Sequence, residues 1–320
     1  MVLLLAFAAG GCGAQQVLLG TQDDYLFAAM DAVTVPGRAV DLKARLQGGD
    51  LLVPKSGYVV LFRRDGELYR AAETDADGVA SAGFTPAAPG DYLFSAELSP
   101  NGFDGPPPAP AKLRVACRRP DEPILVTDLD RTIVADGFEK VLIGEAAPMP
   151  GSPELLRRAA KDRTIVYLTH RPGYFACRTK AWLESHGFPP GPVVFSSTGG
   201  FLSGSGSFKT QELARMRGLF TRMDIGIGDK VSDARAYVDC GMKAVLIIHP
   251  DHASSTRELR ELAGRMASLP ADVQVVTGWD QIGKILFEQA SFPRPAVQVM
   301  LLERAAAMAR DRTPPGPEGQ

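Results

Sequence analysis

Ile124-Leu-Val-Thr-Asp-Leu-Asp-Arg-Thr-Ile133 is an apolar run that ends in two aspartates one residue apart, with a threonine two places beyond the second. A continuous hydrophobic run reads as a parallel strand buried on both faces, and ligands gather at the carboxyl ends of such strands. Alternation along the strand turns Asp128 and Asp130 to the same side, into a crevice at the sheet edge. Two carboxylates held that close repel each other, which calls for a divalent cation, a shared proton or a division of labour between them. The pattern is a signature of phosphoryl transfer.

Three further stretches follow in order. Thr164-Ile-Val-Tyr-Leu-Thr169 is a second strand that ends in a hydroxyl residue, and His170-Arg171-Pro172 is a strand-to-helix turn. Phe208-Lys209 opens an amphipathic stretch with Leu213, Met216 and Leu219-Phe220 at helical spacing. Met223-Asp-Ile-Gly-Ile-Gly-Asp229-Lys-Val-Ser-Asp233 reads as a strand followed by Gly-Asp-x-x-x-Asp at the mouth of a helix.

Together these resemble the four motifs of the haloacid dehalogenase superfamily, beginning with its Asp-x-Asp-x-Thr. The resemblance implies Asp128 as the nucleophile that forms an aspartyl-phosphate, and Asp130 as the acid/base that protonates the leaving alcohol and then activates water. It implies Thr169 as a phosphate-binding hydroxyl and Lys209 as the cation that neutralises the phosphate and the nucleophile; Thr132, His170 and Arg171 are further candidates for binding the phosphate. Mg²⁺, which favours oxygen ligands, would be held by Asp128, Asp229 and the backbone carbonyl of Asp130, with Asp233 ligating through water or orienting the site. A bare acidic residue in the first turn of a helix, complementing its dipole, is the other reading of Asp233. The gaps between the motifs hold one helix, Ser152 to Ala160, then a helix Tyr174 to Gly187, a strand Val193 to Ser196 and a glycine-serine loop Ser197 to Ser207, so no cap domain is expected.

The text between the motifs narrows the resemblance. Tyr167-Leu-Thr-His-Arg-Pro-Gly-Tyr, Thr179-Lys-Ala-Trp-Leu-Glu-Ser-His-Gly-Phe-Pro-Pro-Gly-Pro-Val-Val-Phe-Ser, Phe208-Lys-Thr-Gln-Glu-Leu and Gly226-Ile-Gly-Asp-Lys-Val-Ser-Asp-Ala-Arg-Ala-Tyr-Val-Asp-Cys-Gly-Met are similar to the C-terminal domain of lipins and of Nir-type phosphatidylinositol-transfer proteins. This covers roughly Pro123 to Pro250 and implies a Mg²⁺-dependent phosphatidate phosphatase, with a phospholipid at a membrane surface as substrate. A phosphatase of the same fold acting on a non-lipid phosphate, and a phosphatidate-binding sensor without turnover, are the alternatives. Arg131 stands where the family usually has Gly, and His170 where it has a small residue; each is open to a role at the phosphate or none.

Residues 123–292 are thus expected to form a capless, doubly wound α/β domain. It would be completed by a helix Ser255 to Ser268, a strand Val273 to Val276 and a helix Asp280 to Gln289. Residues 17–117 alternate apolar and polar positions in short runs (Val40 to Leu46, Gly57 to Phe62, Ala80 to Phe84, Gly90 to Ala96, Lys112 to Ala116) between Gly, Pro and Asp turns. Arg64-Asp-Gly-Glu is a hairpin signal. Thr74-Asp-Ala-Asp-Gly followed by Pro89-Gly-Asp-Tyr resembles bacterial immunoglobulin-like modules, which implies an all-β sandwich. Residues 118–122 read as a linker, and residues 293–320 as a last amphipathic helix, Ala296 to Arg310, with a Pro/Gly-rich tail expected to be disordered.

Met1 to Gly11 is apolar and leads through small residues into Cys12, similar to the end of a bacterial lipoprotein signal, so residues 1–16 are expected to anchor the chain through lipid on Cys12, a buried apolar N-terminal strand being the other reading. The location implied is the cell envelope, or outside the cell if Cys12 is not lipidated. With 45% hydrophobic residues, a net charge of −2 and dispersed cations, the 320-residue chain shows no nucleic-acid-binding footprint, and no partner protein is evident. Cys117, Cys177 and Cys240 are too few for a disulfide scaffold and are expected to be unpaired.

Overall fold

The computed structural model describes residues 25–48, 52–101, 107–137, 140–141, 146–196, 205–249 and 255–311. The expected signal and Cys12, most of the glycine-serine loop and the C-terminal tail lie outside the described residues. No helix among the described residues is long and apolar enough to cross a membrane.

Two β-sheets make the N-terminal part. The first joins β1 (Tyr25–Met30), β3 (Val40–Gly48), β4 (Val53–Pro54) and β7 (Val79–Phe84), all antiparallel about β3. The second contains β2 (Ala32–Thr34), β5 (Val59–Arg64), β6 (Glu67–Glu73), β8 (Gly90–Leu98) and β9 (Ala111–Cys117), in the order β2-β9-β8-β5-β6. Alternation delivers Leu42, Ala44 and Leu46 from one sheet, and Phe62, Phe94, Leu113 and Val115 from the other, into one shared core. This is the expected sandwich. Its Asp65-Gly66 hairpin has both residues left-handed, at φ 52 and 85, the geometry that favours Gly and Asp in a two-residue turn. Asp75 serves as a turn acid, its Oδ1 accepting from the backbone N–H groups of Asp77 and Val79. The strands β1 and β2 were not foreseen, because Tyr25 to Thr34 is nearly uniformly apolar and shows no alternation.

The second part is a six-stranded parallel sheet. Its strands are β10 (Ile124–Thr127), β11 (Thr164–Pro172), β12 (Val193–Ser196), β13 (Met223–Gly228), β14 (Lys243–Ile247) and β15 (Gln274–Val276), in the order β12-β11-β10-β13-β14-β15. Because β10 and β11 are buried on both sides, alternate residues feed two cores. Ile124, Val126, Val166 and Leu168 pack toward α3 (Ser205–Arg217), α4 (Val231–Asp239), α5 (Thr256–Met266) and α7 (Arg294–Asp311). Leu125, Ile165 and Tyr167 pack toward α1 (Ser152–Ala159), α2 (Ala176–Ser185) and α6 (Trp279–Phe287). The fold class is therefore as expected, a haloacid-dehalogenase-like α/β sheet behind an all-β sandwich. Local expectations need correction: His170-Arg171-Pro172, read as a strand-to-helix turn, belongs to β11. The strand β14 was overlooked, and α3 begins at Ser205, inside the segment read as loop, because Ser205-Gly-Ser carries loop composition although it forms the helix's first turn.

Strand order reverses at β10, with β11 on one side and β13 on the other, and parallel sheets bind ligands at such a switch point. Thr127 pairs with Ile227, so the residues that follow β10 and β13 emerge side by side. Two glycines bring α4 down onto this point. A Cβ on Gly226 would lie 2.2 Å from the Tyr237 ring, and one on Gly228 would lie 2.7 Å from the Cβ of Asp233. The buried Tyr237 hydroxyl closes the contact by donating to the Ile227 carbonyl at 3.1 Å.

The stretch between the sheets is stitched to both. Arg118 pairs with Asp91 of β8 and donates to Thr164 of β11, and the Thr221 N–H donates to the Pro120 carbonyl. Gly226→Ala forces an aromatic ring out of its seat and is expected to destabilise the protein by about 3 kcal/mol, read from urea denaturation. A loss below about 0.5 kcal/mol would mean that the close approach of α4 is not required.

Candidate active site

Each side chain of the site is placed by the end of a strand or the start of a helix. Asp128 follows β10 and Asp229 follows β13; Asp233 lies in the first turn of α4, Lys209 in α3, and Thr169 to Arg171 in the last residues of β11. At the centre stands Lys209, 1% exposed, with Nζ 2.9 Å from Asp128 Oδ1 and 2.9 Å from Asp233 Oδ2. Burial works against the ammonium, but Asp128 and Asp233 outweigh it and hold the Lys209 pKa above its ordinary value.

Oxygens of Asp128, Asp229 and Asp233 lie within 4.8 Å of one another. Both distances from Lys209 are short, yet the angles are poor. Lys209 Nζ, Asp229 Oδ1 and both oxygens of Asp233 are buried without a well-directed hydrogen-bond partner among the described residues. Buried charges left that way are costly, and a hard divalent cation is the group whose ligands are oxygens of this kind. Burial first, then Asp128 and Asp233, push the Asp229 carboxyl up to about 7. The Asp233 carboxyl is also raised, mainly by burial, with Lys209 pulling against the shift. The three carboxylates thus fit a cation.

Asp130 is placed differently. Its Oδ1 and Oδ2 accept from Arg171 Nη2 at 2.7 Å and Nε at 3.0 Å, a bidentate pair, while Arg171 Nη1 donates to Thr179 Oγ1 at 3.0 Å. Of the expected phosphate-binding set, Arg171 therefore meets the site through Asp130. The Asp130 side chain stays outside the carboxylate cluster, which leaves only its backbone carbonyl for the ligand role expected of it. Thr169 is buried and its hydroxyl accepts from the Arg171 N–H at 3.2 Å. Thr132 is fully buried, and its Oγ1 has no partner among the described residues. His170 is half-buried, with its ring centroid 6.1 Å from that of Phe208, beside Lys209.

Arg131, in the slot where Gly was expected, has φ 56. A left-handed conformation costs a side-chain-bearing residue about 1 kcal/mol, which explains the glycine of the resembled pattern. His249 Nε2 lies 2.7 Å from the Arg131 carbonyl oxygen. Thr179 and Tyr237 are the residues whose part was missed. Thr179 has no motif of its own, whereas Tyr237 was visible as the aromatic four places after Asp233.

A family model described as the LNS2 domain of PITM 1-3 matches residues 125–248, from β10 to just past β14. No curated protein matches the chain. Among solved structures, the fibronectin(III)-like modules of Clostridium thermocellum CbhA align at 14% identity over 29% of this chain and 95% of that one, with a TM-score of 0.21. The titin M3 domain aligns at 10% identity over 31% of this chain and 100% of that one, with a TM-score of 0.22. The D0-D1 domain of intimin aligns at 25% identity over 28% of this chain and 46% of that one, also at 0.22.

The raised Asp229 pKa has a pH consequence. Between about 4 and about 7 the cation-free folded protein binds more protons here than the unfolded chain does. Its contribution to stability is fully present below the ordinary carboxylate value and is lost as pH rises through the folded value. A divalent cation binds the deprotonated form, so the Tm gain on adding Mg²⁺ should be small near pH 5 and grow toward pH 8. A gain independent of pH would place the cation elsewhere.

Proposed function

We propose that the protein is a Mg²⁺-dependent phosphatase that hydrolyses a lipid phosphomonoester, phosphatidate, through an aspartyl-phosphate on Asp128. The observation that carries the reading is the Lys209 ammonium, 2.9 Å from both Asp128 and Asp233, beside an Asp229 whose buried oxygen lacks a partner among the described residues. When bound, the cation offsets the charge of the phosphoryl group. The chain's own residues do the rest. An Asp128 oxygen attacks phosphorus while the departing alcohol takes a proton from Asp130; the carboxylate of Asp130 then removes a proton from water, which attacks the aspartyl-phosphate and regenerates Asp128. Lys209 stays charged throughout and faces the growing negative charge. Arg171 occupies one position on each oxygen of Asp130, and a carboxylate oxygen keeps a second lone pair for the proton.

Support for a lipid headgroup comes from the match to the LNS2 family model, from the lipin-like text around the motifs, and from the described residues between them, which hold no cap. A site without a cap suits a substrate presented by a surface. The expected lipid on Cys12 would keep the enzyme at that surface, in the bacterial cell envelope, without changing its chemistry. One observation favours a second reading, a phosphatidate-binding sensor: the engagement of both Asp130 oxygens by Arg171.

Phosphate release from phosphatidate, lysophosphatidate, nucleotides and para-nitrophenyl phosphate, with Mg²⁺ and with chelator, separates the readings. Turnover of phosphatidate that requires Mg²⁺ is expected. Binding without turnover supports the sensor, and a preference for a soluble phosphate removes the lipid. Asp128→Asn should lower turnover by more than about 10³-fold with an unchanged melting temperature, and Asp130→Asn by about 10² to 10⁴-fold. Retained turnover in either folded variant would strip that residue of its role.

In a lipoprotein-processing bacterium the wild type should partition with detergent-soluble membranes and Cys12→Ser should not. Equal fractionation would rule out the anchor.

A further inference from the structure

We propose that the β-sandwich braces the candidate active site from behind α2, with Asp31 as a latch that holds α2 and thereby positions Arg171 and Asp130. This rests on Asp130 as the acid/base of the reading above.

The strand β1 has two buried faces. Phe27 and Ala29 enter the sandwich core, so Leu26 and Ala28 point away from it, yet these are only 4% and 1% exposed. On that side β1 packs against the short 3-10 turn Gly173–Phe175 and α2, the segments that follow β11. The fit is close. A Cβ on Gly173 would lie 3.1 Å from Met30 Cε and 3.8 Å from Phe195 Cβ. Cys177 Sγ points its hydrogen at the Phe27 carbonyl, and Lys180 Nζ donates to the carbonyls of Ala29 and Lys112, each at 3.0 Å.

Asp31 fastens this face. Its side chain is 4% exposed, and its carboxylate accepts from Lys180 Nζ of α2 at 2.6 Å, from the Val193 N–H of β12 at 3.0 Å and from the Arg114 N–H of β9 at 2.8 Å. One buried charge thus ties the sandwich to the edge strand of the parallel sheet and to the helix beside it. Thr179 precedes Lys180 in α2, is fully buried, and accepts from Arg171 Nη1; Arg171 in turn holds Asp130 by both oxygens. A shift of α2 against the sandwich therefore moves the guanidinium, and with it the carboxylate that must meet the leaving oxygen. Asp31, Lys180 and Thr179 are positioning residues, since none of them reaches the reacting atoms.

A role of this kind leaves a mark that simple destabilisation does not. An aliphatic alcohol leaves poorly and depends on the acid, whereas para-nitrophenolate leaves without one, and kcat/KM reports the step in which the ester bond breaks. Full-length wild type is compared with Lys180→Ala, Lys180→Arg and Asp31→Asn, using short-chain phosphatidate and para-nitrophenyl phosphate. Expected for Lys180→Ala is a loss of about tenfold or more in kcat/KM for phosphatidate against less than about threefold for para-nitrophenyl phosphate. Lys180→Arg should largely restore the phosphatidate rate, and hydrogen exchange should speed up over residues 171–179 in Lys180→Ala but not over β13. Lys180→Ala carries the test if Asp31→Asn does not fold. An unchanged ratio of the two kcat/KM values overturns the coupling. A wild type inert toward both esters overturns the phosphatase reading instead. Exchange then decides the coupling: acceleration confined to 171–179 sustains it, and unchanged exchange there refutes it.

Discussion

A single buried ammonium holds the candidate site together. Lys209 stands between Asp128 and Asp233 with the half-buried Asp229 alongside, and three carboxylates against one lysine leave two negative charges in a place poorly solvated by water. Such an excess is tolerable only if a proton or a divalent cation joins it, which is why the Asp229 carboxyl is pushed up to about 7 in the absence of metal. The same imbalance suits the proposed phosphoryl transfer, which calls for one cation and one fixed positive charge beside Asp128. The sheet order, the glycines that let α4 approach, and the start of α3 all converge on bringing these four side chains to the switch point between β10 and β13.

The placement of Arg171 gives the two aspartates different partners. Asp128 faces the ammonium and the candidate cation site, while Asp130 faces a guanidinium fixed by Thr179. Identical carboxylates one residue apart thereby acquire different surroundings, as the proposed division into nucleophile and acid/base requires. The planar fork of Arg171 sets the orientation of Asp130 as well as its charge balance, which a lysine at that position would not do.

Much of this was legible in the sequence because the signals are local. The apolar runs ending at Thr127 and Gly228 mark strands buried on both faces, and the acids after them fall where such strands present ligands. The glycine slot held by Arg131 is likewise explained by its φ of 56. What stayed hidden lacks a local signature. Asp31 and Lys180 are 149 residues apart, and nothing in either neighbourhood announces the other. The strand β1 is apolar on both faces because one covers the sandwich core and the other covers α2, so the alternation that reveals a half-buried strand is missing. Ser205-Gly-Ser reads as loop by composition, but packing of Phe208, Leu213 and Met216 carries the helix through it.

The central claim is that Asp128 is a nucleophile, and it can be observed directly. Enzyme in excess over phosphatidate, with Mg²⁺, is quenched in acid within the first turnover and digested, and the peptide that spans β10 is examined by mass spectrometry. A phosphoryl group on Asp128 that appears before free phosphate and decays as phosphate is released is the predicted result. Phosphate released at the same rate with that peptide never modified, or modified at another residue, would contradict the account.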